Sequence, residues 1–479
     1  MHCPVHPLTF ASRPLRSLVA VAVVATGVPG IALAGAALDS APAQAASLPS
    51  CPLSALQKAK GTVNITFWNS AAQNNQTTLV TLTNQFNASQ HKIHVTLAQQ
   101  PSYDDTWTKY VSGLSNGELP NVVQMEDIYT APTVDSQSTL PVQSCINASH
   151  YSTSDYLTRA LNYWKINGVE QAMPWAVSTP VLYYNKQAFS KAGLNPDDPP
   201  TTFAEMASDA QKLKASGDSG MGLKIWPWLL ETWLATANQL VVNNSNGRSG
   251  TASKAVYDNQ VGQQLFTQLN DIVKSGAAQT NFYVGPTAED DLLGIGNGKY
   301  GMAIDTSAAL GTILALLKGG QYPNVTLGVA PFPALSSQDK GGVAPGGSSF
   351  FIVKKGATPA QQAASWAYIT FMDSTASMAT WSVGTGYIPI RKSSVQTSTI
   401  QQAWQADPEY QVAYKSLLDG PTTSATSGAV IGAYGAVYTA ESNAWQSMYQ
   451  SGVSPKSAVK SSVSNSTTAM QQYNQRLGS

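Results

Sequence analysis

Carboxylate pairs and scattered large aromatic rings are the residues of this chain best suited to act on a small molecule. Glu126-Asp127 and Asp290-Asp291 could imitate the two carboxyls of a glycosidase. Adjacent residues on a strand point to opposite faces, so neither pair makes an acid/base couple by itself. Of the histidines, His2 and His6 fall in the export segment described below. His91 and His94 flank a strand start, where a solvated edge suits them, and His150 stands apart. No G-x-S-x-G elbow and no H-E-x-x-H occurs, and Ser348-Ser349 lacks the nucleophile pattern. The two cysteines outside the export segment offer no zinc cluster, so neither a metal nor another cofactor is expected. Catalysis is unsupported by these residues. A secreted carbohydrate-active hydrolase, using Glu126 with a distant carboxylate, stands as the alternative to a binding protein.

The aromatic residues say more. Tyr103, Trp107, Tyr129, Trp175, Trp226, Trp228, Trp233, Trp381 and Tyr387 fall largely in or beside loops and element ends. Ring faces stack on the C–H surfaces of sugars and polyols, while nearby Asn, Ser and Asp bond the hydroxyls. Large aromatics also fill cores, which is the ordinary role of any single one. Trp226-Pro-Trp228 is harder to bury, since proline would hold both rings in a turn. It is the preferred ligand wall.

These side chains must be positioned by strands and helices. Val63–Trp68, Lys92–Leu97 and Asn121–Met125 read as strands, separated by a helical pattern carrying Leu79, Leu82 and Phe86 and by a helix from Tyr103 to Leu114. That rhythm builds a parallel sheet, whose ligands sit beyond the carboxyl ends of the strands. A strand follows at Val181–Asn185, then a helix to Ala192 closed by Gly193, and a helix capped by Thr201 or Thr202 with Glu205. Leu229–Val242, Gly262–Ser275 and Ala288–Gly296 read as helices. Tyr300–Ile304, Val325–Val329 and Ser349–Val353 return to strands, and Ala429–Ser451 and Pro455–Leu477 are helical. Leaving a βαβ region and returning to it implies two lobes with hinge crossings.

The chain of 479 residues has room for two such cores. Charged residues are only 11% and balance to a formal +0, so no field of one sign suggests a nucleic-acid partner. Arg13 and Arg16, the apolar run Leu18–Ala25 and the small-residue site Ala43-Gln44-Ala45 form the order of an export signal. The apolar core is too short to be a comfortable membrane span. Outside the cytoplasm, Cys51 and Cys145 are read as a disulfide. A lipidated Cys51 competes, because Leu48-Pro49-Ser50-Cys51 loosely resembles a lipobox.

Ser178-Thr-Pro-Val-Leu-Tyr-Tyr-Asn-Lys186, with Ala188-Phe189 and Lys191–Pro196, carries a family resemblance. So do Phe67–Ser70, Gly346-Gly347-Ser348 and Thr385-Gly-Tyr-Ile-Pro389. In these segments the chain resembles the extracellular solute-binding proteins of ABC importers for sugars, most closely the periplasmic glycerol-3-phosphate-binding proteins. The resemblance implies an α/β, two-lobed hinged periplasmic-binding-protein fold, each lobe a mainly parallel sheet flanked by helices. It implies capture and delivery without chemistry. The expected division is a signal peptide at 1–45, a first lobe at 46–174 with 307–354, and a helix-rich second lobe at 175–306 with 355–479. Matched residue by residue, the resemblance puts Tyr103, Glu126, Ser178, Trp226, Trp228, Thr306 with Ser307, Gly347, Tyr387 and Tyr434 at the ligand. Tyr434 stands where the family has a phosphate-clamping arginine, and no arginine lies nearby in the chain. A phenol cannot replace that bidentate grip, so a neutral sugar, an oligosaccharide or a glycerophosphodiester is expected in preference to glycerol 3-phosphate. The expected partners are this small molecule, a sugar, polyol or glycerophosphodiester, and the transmembrane subunits of an ABC permease. The expected state is a monomer, exported to the extracellular space or cell envelope and held to the membrane, if at all, through the permease or a lipid on Cys51.

Overall fold

Alternating residues from Val63 form strand β1 (Val63–Asn69), with Ile65 and Phe67 buried and Asn64 in solvent. The computed structural model describes residues 48–217, 220–282, 290–320 and 322–478; the export signal read at 1–45 lies outside them. The following strands are β2 (Ile93–Gln99), β3 (Val122–Glu126) and β4 (Thr139–Leu140). A small hairpin, β5 (Lys165–Ile166) and β6 (Val169–Glu170), precedes β7 (Met173–Ser178) and β8 (Pro180–Asn185). Then come β9 (Met221–Ile225), β10 (Ala278–Phe282), β11 (Met302–Thr306), β12 (Leu327–Pro331) and β13 (Gly346–Val353).

They assemble into two mixed sheets flanked by helices. The first runs β2-β1-β3-β13-β4 with β7 also on β13; the second runs β10-β9-β11-β8-β12. β1 is parallel to β2 and β3, and β9 is parallel to β10 and β11. The antiparallel strands β13 and β8 come from chain that crosses between sheets. Thr179 is the first crossing, since β7 ends at Ser178 in one sheet and β8 begins at Pro180 in the other. β12 lies inside the stretch 307–354 yet pairs with β8 in the second sheet. The helix Pro359–Met372 returns to the first sheet, where Gln361 Nε2 donates to the Asn64 carbonyl at 3.1 Å.

β7 and β9 escaped the sequence reading for one reason. Every residue of both is buried, so neither shows the alternation that marks a half-exposed strand. The helix read from Leu229 to Val242 starts at Pro227 and ends at Thr236. Asn238 takes a positive φ of 53°, and the amides of Asn238 and Gln239 bond back to the carbonyls of Ala235 and Leu234. That is a Schellman stop with asparagine where glycine is usual. The helix read from Ala429 begins at Tyr434. Elsewhere local chemistry held: Thr202 and Glu205 form a reciprocal capping box on the helix Phe203–Ala215.

The sulfurs of Cys51 and Cys145 lie 1.98 Å apart in a disulfide. A Cys51 so bonded has no thiol left to lipidate. Beside the first sheet Trp175 of β7 stacks on Trp381 at 4.1 Å and on Phe350 of β13 at 4.5 Å between ring centroids. No helix among the described residues is long and apolar enough to cross a membrane.

Candidate functional site

Where the carboxyl ends of β1, β3, β9 and β11 meet the β7–β8 crossing, the chain leaves a cavity. It holds about 1020 Å³ of empty space, part of it continuous with solvent. This is where sheets with parallel strands place ligands, because loops and helix starts diverge there.

Each sheet contributes side chains. Ser102 caps the helix Tyr103–Asn116, accepting from the Asp105 amide, and this sets Tyr103 at the helix's first position. The Tyr103 hydroxyl lies 3.4 Å from those of Tyr387 and Ser348. Gln124 of β3 ties the group together: its Nε2 donates to Ser348 Oγ at 2.7 Å and its Oε1 accepts from the Ser70 amide at 2.9 Å. Opposite, Pro227 is the first residue of its helix, where its missing N–H costs nothing. Trp226 and Trp228 are therefore set by a helix start rather than by a turn. Their centroids lie 4.8 Å apart, and both are buried, which the turn reading did not anticipate. The Trp228 indole N–H, on the cavity wall and 3% exposed, finds no acceptor among the described residues.

Gly346 and Gly347 are required sterically. A Cβ on Gly346 would sit 2.7 Å from Trp228 Cε2, and one on Gly347, at φ +120°, would sit 1.9 Å from the Ala176 carbonyl oxygen. Two glycines let the backbone of β13 reach both the tryptophan and β7.

The charges were only partly foreseen. β3 ends at Glu126 and a 3-10 turn begins at Asp127, so strand alternation stops between them and both carboxylates line the cavity. The sequence reading had placed them on opposite faces. Burial pushes Glu126 well above the usual carboxylate range, with Asp127 and Asp104 adding repulsion. Burial pushes Asp127 up to about 7, against the lowering effect of the Tyr163 hydroxyl that donates to it at 2.6 Å. Lys224 and Asp305 also line the cavity, as a buried ion pair at 2.6 Å.

Residues 81–412, more than half of the chain, match the family of bacterial extracellular solute-binding proteins. The chain belongs to that family. Its members are non-enzymatic solute-binding proteins. Among curated relatives, the sn-glycerol-3-phosphate-binding periplasmic protein UgpB of Yersinia enterocolitica is 25% identical over 376 residues, covering 77% of this chain and 84% of that one. UgpB of Escherichia coli is 25% identical over 382 residues, covering 78% and 85%. The same fold is seen in UgpB from Mycobacterium tuberculosis in complex with glycerophosphocholine, with TM-score 0.72, 21% identity and coverage of 88% and 100%. It is seen again in the GacH receptor of Streptomyces glaucescens, solved unliganded and with acarbose, with TM-score 0.70, 21% identity and coverage of 86% and 100%.

In this solute-binding protein, eight of the ten ligand candidates share the cavity: Tyr103, Glu126, Ser178, Trp226, Trp228, Thr306, Gly347 and Tyr387. Ser307 and Tyr434 stand off its wall. Ser307 latches the crossing, its Oγ accepting from the Thr179 amide at 3.3 Å and its own amide donating to the Thr179 carbonyl at 2.9 Å. The Tyr434 hydroxyl donates to buried Glu231 at 2.5 Å; one helical turn on, Tyr438 reaches the cavity instead. An arginine does come near Tyr434, but from position 248. Its guanidinium donates to the carbonyls of Asn162, Tyr163, Lys165, Ser427 and Gly428, and it does not line the cavity.

Lys224 and Asp305 had a readable signal. Each is the charged residue of an otherwise uncharged strand, Met221–Ile225 and Met302–Thr306. The parallel register pairing Met221 with Met302 and Gly222 with Ala303 carries on to set Lys224 beside Asp305.

Proposed function

We propose that this chain captures a hydroxyl-rich small molecule, a sugar, oligosaccharide or glycerophospho-compound, between two lobes and delivers it to the transmembrane subunits of an ABC permease. The observation that carries this is the shared cavity, in which rings from both sheets face hydroxyl, amide and carboxylate groups. Rings present apolar faces to the C–H surface of a polyol, while the polar groups satisfy its hydroxyls. The names of the relatives agree with this ligand class: UgpB binds glycerol 3-phosphate or glycerophosphocholine, and GacH binds acarbose. We take the lobes to follow the two sheets, with Thr179 as one hinge strand, and the working form to be an exported monomer.

Lys224 revises the ligand expectation. A phosphate-clamping arginine is missing at Tyr434, but among the described residues the cavity wall carries the Lys224 ammonium group, paired with Asp305 at 2.6 Å. A point charge with three donors can hold a phosphodiester oxygen without the bidentate fork of arginine. Glycerophosphodiesters therefore stay beside neutral sugars in the proposal.

The test is a calorimetric screen of the mature chain against disaccharides, polyols and glycerophosphodiesters, with each mixture then checked for products. Saturable binding with unaltered ligand supports capture. Conversion of a bound sugar would replace the reading with the hydrolase alternative.

A further inference from the structure

We infer that Gly311, outside the cavity, sets ligand affinity by letting the backbone of one lobe close against that of the other at Thr385. This rests on the capture reading and on lobes that follow the two sheets.

The two sides of the contact belong to different sheets. Gly311 stands in the first turn of the helix Leu310–Lys318, which follows β11 and precedes β12 and so is tied at both ends to the second sheet. Thr385 ends the helix Thr375–Thr385, which rides on the first sheet. There Trp381 stacks on Trp175 of β7, and the Ile388 amide donates to the Val177 carbonyl at 2.9 Å. Gly384 lies against Thr78 of the helix Gln73–Ser89, between β1 and β2.

Across this seam the backbones come closer than a side chain would allow. A Cβ on Gly311 would sit 2.6 Å from the Thr385 carbonyl oxygen and 2.9 Å from its carbon. One on Gly386 would sit 2.7 Å from the Ser307 carbonyl oxygen. These are backbone atoms, so no change of rotamer relieves the overlap. Yet no backbone hydrogen bond joins Gly311 to Thr385 or Gly386 among the described residues. The seam can part without leaving a donor unpaired, which suits surfaces that open and shut about a hinge. It runs along the cavity: Ala308, Ala309 and Thr312 on one side, and Trp381 and Tyr387 on the other, line the space, while Gly311 itself does not. A ligand held between those walls draws the seam shut, and a methyl group at position 311 holds it ajar.

This effect separates from folding. Gly311 has no positive φ, and glycine is a poor helix former, so alanine suits the open form at least as well. Only the closed form meets the methyl group.

The test compares Gly311→Ala with the parent and with Gly435→Ala, a helix glycine whose added Cβ meets nothing within 4 Å. Maltose and glycerophosphocholine serve as probes in titration calorimetry. For each probe the parent binds, Gly311→Ala should bind about tenfold more weakly, the closed state having become that much rarer. Its ligand-free melting temperature should match or exceed the parent's, and by small-angle X-ray scattering it should contract less at saturating probe. Gly435→Ala should bind as the parent does. An unchanged or tighter dissociation constant for Gly311→Ala, or equal weakening by Gly435→Ala, would overturn the closure role and leave capture standing. So would weaker binding with a lower ligand-free melting temperature, because the contact would then belong to the permanent fold. Weaker binding with full contraction would also overturn it, placing the effect on neighbouring Thr312. If neither probe binds the parent, the capture reading falls and this one with it.

Discussion

The Glu126–Asp127 arrangement carries a cost in proton equilibria. Burial holds Asp127 at about 7, far above the ordinary value of an aspartate. Such an acid binds more protons folded than unfolded, so its contribution to stability is complete below about pH 4 and is lost as pH rises toward 7. Glu231 pushes the same way and the Tyr163 hydroxyl opposes it, while Asp104, Glu126 and Tyr438 face the same region. Asp127→Asn should therefore raise the melting temperature of the ligand-free protein near about pH 8, with a gain that shrinks toward about pH 4.5. Equal gains at both values would remove Asp127 from the account. Trp228 tests the opposite wall. Trp228→Ala should weaken ligand binding by roughly tenfold or more, because it deletes both a stacking face and an unsatisfied donor. An unchanged dissociation constant would exclude Trp228 from the ligand's surroundings.

At the scale of elements, the glycine pair shows how far sequence and structure agree. Gly347 was legible from its motif, but its reason is steric: a side chain there meets the Ala176 carbonyl at 1.9 Å, with φ at +120°. Gly347→Ala should cost about 2 kcal/mol or more in chemical denaturation, since backbone must move to relieve it. At Gly346→Ala the nearest atoms are those of the Trp228 indole, at 2.7 Å and beyond, so it should disturb binding more than folding. A larger stability loss for Gly346→Ala than for Gly347→Ala would reverse this assignment. Elements whose signal is local were legible: half-exposed β1, the capped helix Phe203–Ala215, the helix closed by Gly193. Those whose character depends on burial were not. β7 and β9 look like any apolar run, and the stop at Asn238 uses a residue that reads as helix-neutral until its φ is known. The site followed the same rule. Tyr103, Glu126, Ser178 and Thr306 came from the family resemblance and line the cavity, whereas Lys224, Asp305 and Tyr438 needed the register and the helix face.

Across the whole molecule, few charges are present and two arginines are used inside. Arg159 is 4% exposed and donates to the carbonyls of Val343, Ser416, Leu417 and Thr426. Arg248 binds segments 162–165 and 427–428 in the same manner. Carbonyls in loops and in the last turns of helices, such as Asn162, Tyr163, Ser416 and Leu417, run short of backbone N–H partners, and a guanidinium offers five donors in a fixed fork. This explains why buried positive charge stays where no carboxylate pairs directly with it: the acceptors are carbonyl dipoles gathered from distant parts of the chain. An ammonium has three donors and a shorter reach, so it cannot serve five carbonyls at once. Arg248→Lys, which keeps the charge and discards the fork, should lose about 2 to 3 kcal/mol of unfolding free energy, the cost of leaving charged-donor bonds unmade. If the charge itself were what Glu231, Tyr163 and Tyr434 require, the lysine variant would unfold at the same denaturant concentration as the parent, and the carbonyl-gathering role of Arg248 would be wrong.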